Sequence, residues 1–255
     1  MIEVLYKKKL LNINHIWFYN GEVLKNKSYI NIYHAPKFFK DNNYLFMKEQ
    51  HTLIHNLKTS EDEILKNINK TYRYDIRRAE KDGIETKYFS SFELLDPTNT
   101  YILKKFYDTY NSMYKEKGLK QTINIRLVKS YIKNNCFILS VAFYNNNPLV
   151  FHSYIIDIDQ VRLLHSCSNF RTDVDLKEII GRMNKYLHWK DLLFFKKDNY
   201  ETFDWGGISI DSNNGISDFK KKFGGNELNY YNYIVIKNKI ISYIAKKILY
   251  RVEDK

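Results

Sequence analysis

Residues 203–225 read FDWGGISIDSNNGISDFKKKFGG and set an acid, two glycine pairs and a basic aromatic cluster within one turn-rich segment. Asp204 follows the start of a short β-type run and precedes Gly206-Gly207, where the backbone is free to turn sharply or to approach a ligand closely. A carboxylate is therefore expected at a strand end. Beyond a turn over 211–215, Ile216, Phe219 and Phe223 recur at i, i+3 and i+7, one face of a short helix. Lys220, Lys221 and Lys222 then point elsewhere, and Gly224-Gly225 closes the helix where last-turn cations suit its dipole. A strand end followed by a capped helix would produce this spacing with no chemistry attached; the same residues also make a candidate active site.

Working outward, periodicity and punctuation predict the neighbouring elements. Residues 84–89 read as a strand, 100–117 and 123–133 as helices, and 137–144, 149–156 and 161–168 as three successive strands, the first two joined by an Asn-rich turn ending in Pro148. A helix over 176–189, a strand over 202–205, the short helix near Phe219 and a strand over 228–236 complete the series. Upstream, apolar runs at 15–19, 29–33, 44–48 and 52–57 suggest several strands. Ser60 and Glu63 form a capping box that starts a helix running toward Gly83. At the other end, 238–252 carries Ile240, Ile241, Ile244, Ile248, Leu249 and Val252 on one stripe with basic residues off it. That is a helix packed on the domain, with contact to an anionic membrane as a lesser reading. The division expected is 1–83, 84–237 and 238–255.

Composition narrows the class. A chain of 255 residues with 44% hydrophobic content buries a proper core. Its 41 Lys and Arg against 29 Asp and Glu leave a net charge of +12, which favours anionic partners: nucleic acid, anionic lipid, or the phosphates of nucleotides and cofactors. Two cysteines, Cys136 and Cys167, make neither a disulfide framework nor a metal site, and the first residues show no signal-peptide pattern; a reducing cytoplasm is the expected setting. No apolar run approaches the length of a membrane span. Residues 211–215 fail the calcium-loop pattern because the glycine is misplaced and no Glu follows at the right distance, so no metal is expected.

Two segments carry a family resemblance. Phe203, Asp204, Gly206 and Gly207 followed by Phe219, Lys220, Phe223, Gly224 and Gly225 resemble the "fDxGG" and "FKxxFGg" pattern of the FemABX group of aminoacyltransferases within the GNAT superfamily. The helix of 60–83 is similar to the family's "RxxIRRAeKxG" signature at Arg73, Ile76, Arg77, Arg78, Ala79, Lys81 and Gly83. The likeness covers residues 50 to 237. It implies an α/β (α+β) fold: a GNAT-like mixed, mainly antiparallel sheet flanked by helices, with a truncated N-terminal β-rich subdomain.

The resemblance also implies a reaction. An acyl donor lies beside the splayed central strand, here 161–168, whose backbone N–H groups polarise the carbonyl, and an amine attacks without a covalent intermediate. Asp204, His152 and Lys220 are the catalytic candidates: the first two as bases, Lys220 on the donor phosphate or the developing oxyanion. Arg73, Arg77, Arg78, His165, Arg171, Trp205, Phe219 and Phe223 are the binding candidates, the arginines for phosphates. Each has a plain structural reading as well: turn capping for Asp204, a hydrogen-bonded core histidine for His152 and His165, solvation for Lys220, surface ion pairs for the arginines. A Cys167–His165 pair on one strand face is conceivable but weaker. The loop at 169–175 lacks the glycines of an acetyl-CoA pyrophosphate loop. With the chain short beside the peptidoglycan-bridge enzymes, the expected reaction is transfer from acyl-CoA to the amine of a nucleotide-linked amino sugar. Aminoacyl-tRNA-dependent transfer to a peptidoglycan precursor is the alternative, and a single-stranded nucleic-acid binder using aromatic stacking is the reading from another class.

Overall fold

A computed structural model describes residues 1–8, 11–40, 44–209, 215–238, 240, 242 and 243. In chain order its strands are β1 (Ile2–Lys8), β2 (Leu11–Trp17), β3 (Ile30–His34), β4 (Phe46–Asn56), β5 (Glu85–Ser90), β6 (Phe137–Tyr144), β7 (Asn147–Ile156), β8 (Gln160–Ser168), β9 (Thr202–Ile208) and β10 (Asn226–Ile236). The helices are α1 (Glu61–Asn67), α2 (Lys70–Lys81), α3 (Ser91–Leu95), α4 (Thr100–Glu116), α5 (Ile125–Lys133), α6 (Lys177–Lys197) and α7 (Gly215–Lys221). This is the mixed α/β class expected, with a largely antiparallel sheet flanked by helices.

Two compact units divide the chain, Met1–His51 with Asn229–Lys255, and Thr52–Leu228. The breaks fall inside β4 and β10, at other places than the 83/84 and 237/238 boundaries read from the sequence. The amphipathic stripe of 238–252 lies almost wholly outside the described residues. In the smaller unit β1 pairs antiparallel with β2, β2 parallel with β3, and β3 antiparallel with β10. Ile16, Tyr33 and Val235 form its core, with Phe39 and Tyr233 stacked at 3.8 Å.

In the larger unit the strand order is β4-β9-β8-β7-β6-β5. β5 to β8 form an antiparallel meander, and β8 pairs parallel with β9. The β6–β7 hairpin turns on Asn145 and Asn146, both at positive φ as a two-residue loop of this hand requires. β6 and β7 are buried at almost every position, not at alternate ones. Successive strand residues point to opposite faces, so helices must cover both. α6 packs against β6, β7 and β8, α4 against β7 and β8, and α5 against β6.

Three departures from the periodicity reading have local causes. The helix of 60–83 is two helices, because Ile68 is extended and buried and the Asn69 side chain restarts the helix by capping Thr71 N. α3 is an added turn whose signal was present: Ser90 and Glu93 make a full capping box. α6 runs two turns past Trp189, where the helix was read to end, and Asp191 in that extension faces inward, fully buried. No described helix is long and apolar enough to cross a membrane.

Candidate active site

The β8–β9 ladder pairs Gln160–Arg162 with Thr202–Asp204. β8 is irregular just beyond: Ser153 faces His165 and Tyr154 faces Leu163, leaving Leu164 as a bulge that bends the strand. β9 answers with Gly206 at φ +71, where an added Cβ would lie 2.7 Å from Leu163 O. Only glycine lets the two backbones approach so closely.

Asp204 marks the end of the ladder to β8 but lies inside β9, which runs on through Gly206-Gly207 to Ile208 and does not end where the glycines suggested. Its Oδ1 accepts from Gly206 N at 2.8 Å and from Thr52 Oγ1 at 2.5 Å, and its Oδ2 is ion-paired with Arg162. Asp204 and Arg162 are both 6% exposed, so the pair is buried with its hydrogen bonds made. A carboxylate so engaged is a clamp on the Gly206 turn; its geometry offers little to an incoming proton.

Lys220, near the end of α7, lies over this clamp. Its Nζ donates to Gly207 O at 2.8 Å. Burial, and then the charge of Arg162, lower its pKa to about 8, with Asp204 acting in the opposite sense. The helix is anchored by Phe223, fully buried against Trp205 at 4.7 Å, and by Phe219, tilted against Tyr72 at 5.5 Å. Gly224 and Gly225 both have positive φ, and a Cβ on Gly225 would lie 2.5 Å from the His55 ring. The second glycine pair therefore permits the chain to pass His55.

Lys220 opens onto a pocket of about 610 Å³. Leu163, Ser166, Cys167 and Ser168 of β8 form one wall, and Asn184 and His188 of α6 another. Lys117, Arg171, Lys185, Lys220 and Lys222 also line it, and no described lining residue is acidic. Lys185 is tied to Asp75 at 2.7 Å and lies 5.0 Å from the Tyr72 ring centroid. Lys117 has its pKa lowered by burial and by Arg171. The α6 N-terminus is less inviting to a phosphate than a free helix end. No described side chain caps the helix, but Asp173, whose Oδ1 accepts from Leu176 N just before it at 3.1 Å, and Asp175 and Glu178 place negative charge there.

Behind the α6 wall is a second buried polar group. His152 of β7 contacts Asp191 Oδ2 through Nδ1 at 2.7 Å and Asn184 Oδ1 through Nε2 at 2.9 Å. Tyr154 donates to Asp191 Oδ2 at 2.6 Å. His188 stacks on His152 with centroids 3.8 Å apart and planes 22° apart. His152, His188 and Asp191 are close enough to consider a metal, but stacked rings hold their in-plane lone pairs side by side instead of aiming them at one point. Burial, then the charges of His152 and Lys220, lower the His188 pKa and keep it neutral.

Of the residues singled out by sequence, Lys220, Phe219 and Arg171 line the pocket, Asp204 lies beneath Lys220, and His152 sits behind the wall, against Asn184 and His188. Trp205 and Phe223 are core residues beneath the wall. Arg77 and Arg78 are exposed on α2, and Arg73 reaches Lys66 O at 3.5 Å; none of the three lines the pocket. His165 bonds Ser153 Oγ at 2.7 Å among Phe106 and Tyr110, and burial lowers its pKa to about 4. It does not pair with Cys167, whose thiol burial holds firmly protonated. Arg162, Thr52, Lys117, Asn184, His188 and Asp191 were not singled out. Asn184, His188 and Asp191 do fall at i, i+4 and i+7, the spacing of one helix face, which was the available signal.

With this geometry in hand, likeness to solved structures is informative. The chain superposes on FemX with a TM-score of 0.63 at 13% identity, covering 96% of this chain and 86% of that one. The fold is that of FemX. The C-terminal domain of a candidate lysylphosphatidylglycerol synthetase from Agrobacterium fabrum aligns at a TM-score of 0.57 and 12% identity, over 84% of this chain and 70% of that one. L-PGS from Bacillus licheniformis aligns at 0.53 and 12%, over 86% and 72%. No family model matches the sequence, and no curated protein does.

Proposed function

We propose that the protein is an acyltransferase that moves an aminoacyl group from the 3′ ester of a charged tRNA to a primary amine. The observation that carries acyl transfer from a phosphate-bearing donor is the pocket itself. Five cations and no described acid line a cleft at the end of the β8–β9 ladder, with the Lys220 ammonium at its floor. Such a field draws a polyanion and fixes it near one point of partial burial. The FemX-like fold and the FemABX-type motifs support this chemistry. The negative charge of Asp173, Asp175 and Glu178 around the start of α6 supports tRNA over acyl-CoA, because it repels a coenzyme pyrophosphate from that helix end.

The bond changes are simple. The amine nitrogen bonds the acyl carbon, the ester C–O bond breaks, and the leaving oxygen takes a proton from Lys220. The proton shed by the attacking amine restores the Lys220 ammonium. An acid with a pKa of about 8 is well matched to such a transfer near neutral pH. Gly207 O holds the Lys220 ammonium in place, with Arg162 lowering its pKa and Asp204 opposing that shift.

A pocket of about 610 Å³ is also the size of a small-molecule site, which favours a second reading: acyl transfer from acyl-CoA to the amine of a nucleotide-linked amino sugar. One experiment separates them. Purified protein is incubated with radiolabelled aminoacyl-tRNA or acyl-CoA and with amine acceptors of both kinds, and product is followed with thermal stability. Amide formed from charged tRNA, with loss of stabilisation in Lys117→Ala/Lys222→Ala, supports the proposal. Product from acyl-CoA alone transfers the assignment to the second reading. Salt-sensitive stabilisation by random single strands, without any product, replaces both with a nucleic-acid binder.

A further inference from the structure

The buried group behind the pocket wall has a consequence for the substrate. Both ring nitrogens of His152 face oxygens, Asp191 Oδ2 at 2.7 Å and the Asn184 amide oxygen at 2.9 Å. An amide oxygen only accepts, so the Nε2 facing Asn184 Oδ1 carries the hydrogen of that contact. The Tyr154 hydroxyl donates to the same Asp191 oxygen that faces Nδ1 and fixes the other side of the ring. The other groups facing His152 are Ser140 across β6, Ser166 across β8, and the stacked His188.

The Asn184 amide is thereby oriented. Its oxygen is used by His152, so its NH2 group is what it offers to the pocket that it lines. A His152 with a bare Nε2 would require the opposite: the amide would turn its NH2 inward and show the pocket an oxygen. The placement of hydrogen on the Nε2 of a fully buried strand histidine therefore decides whether the pocket wall donates or accepts.

We infer that Asn184 binds the acyl carbonyl oxygen of the donor, donating from Nδ2, and that His152 and Asp191 are positioning residues that hold its amide in that sense. This rests on the transferase reading above. Carbonyl oxygen gains negative charge as the amine attacks, so a pre-oriented donor beside it stabilises the transition state more than the ground state. Lys220 then serves the leaving oxygen, and the two ends of the ester have separate partners.

Two measurements test it on the full chain. In the ¹⁵N-histidine NMR spectrum of the wild type at pH 7, the Nε2 of His152 is expected to carry hydrogen; a bare Nε2 overturns the assignment. In transfer assays, Asn184→Ala and the isosteric Asn184→Asp are each expected to lower kcat about 10²-fold with donor KM nearly unchanged, the effect of losing one oxyanion donor. Wild-type kcat in either variant overturns the proposal. His152→Gln combined with Asn184→Ala is expected to be no slower than Asn184→Ala alone, because the histidine acts through the amide; additive losses would refute its positioning role. A wild type that transfers nothing from either donor refutes the transferase reading, and the carbonyl assignment with it. A bare Nε2 in an active enzyme refutes only the Asn184 assignment.

Discussion

Two buried carboxylates, Asp204 on β9 and Asp191 on α6, each meet a basic partner under the same pocket, yet they do different things. Asp204 is closed off: Arg162, Thr52 and Gly206 N take its oxygens, and what it holds is the backbone turn beneath Lys220. Asp191 leads outward. Its partner His152 passes a hydrogen bond to Asn184, which lines the pocket. The β9 acid, conspicuous because a glycine pair follows it, reads from its contacts as scaffold. The helix acid lies in an unmarked run, and it organises a wall the substrate would touch.

The sharpest way to break this contrast is Asp204→Asn. It leaves the Arg162 guanidinium buried without its counter-charge, and losing one partner of such a pair costs about 3–5 kcal/mol. Urea unfolding should show that loss; a variant with wild-type stability and greatly reduced turnover would make Asp204 a reacting group after all.

Lys220→Met should behave in the reverse manner, losing about 10²-fold in kcat as a stabilising charge beside the reacting ester disappears. Its folding should not suffer. The folded pKa of about 8 lies below the unfolded value, so the unfolded chain binds more protons between the two, and the wild type gains stability as pH rises through that window. The variant should lack this rise. Turnover of the wild type should fall above pH 8 as the ammonium is lost.

Gly225→Ala probes the scaffold side without touching charge. At φ +97 and 2.5 Å from the His55 ring, an added methyl should destabilise by roughly 1–3 kcal/mol, read as a lower Tm, by strain and contact together.

The smallest effect expected is at His165, buried neutral with a pKa of about 4. Its unfolded form takes up a proton first as pH falls below about 6.5, so its share of stability is present near neutrality and lost on acidification. His165→Gln should flatten the fall in Tm between pH 7 and 5 while leaving kcat near wild type. A large loss of kcat would return His165 to the list of substrate-binding residues.

Much of the architecture was legible without coordinates because it is written in local periods. The β5 to β8 order, α4, α5 and β10 follow from alternation and helical spacing. The Asn145–Asn146 turn follows from residues that tolerate positive φ. The positions that misled were those where a polar residue serves a distant partner. The helix read over 176–189 runs on through Asp191, although a carboxylate is costly inside a packed helix face; His152 and Tyr154, brought over by the meander, make that burial tolerable. Arg73, Arg77 and Arg78 looked like a phosphate site because helix spacing clusters them. Yet the face of α2 turned to α6 carries Tyr72, Ile76 and Ala79, so α2 contributes Tyr72 to the pocket and the arginines lie outside it.

By itself, then, the sequence determined the class of fold, an acid on the strand just before the glycines, the glycines that let backbones approach, and the basic helix carrying Lys220. All of these depend on neighbours within a few residues. Tertiary structure alone decided that Asp204 is saturated by Arg162 and Thr52, that five cations from separate segments face one cleft, and that Asn184 turns its amide outward. Hydrogen bonds and charge fields depend on distance in space, and residues 52, 152, 184 and 204 meet only when strands and helices from across the chain are packed together.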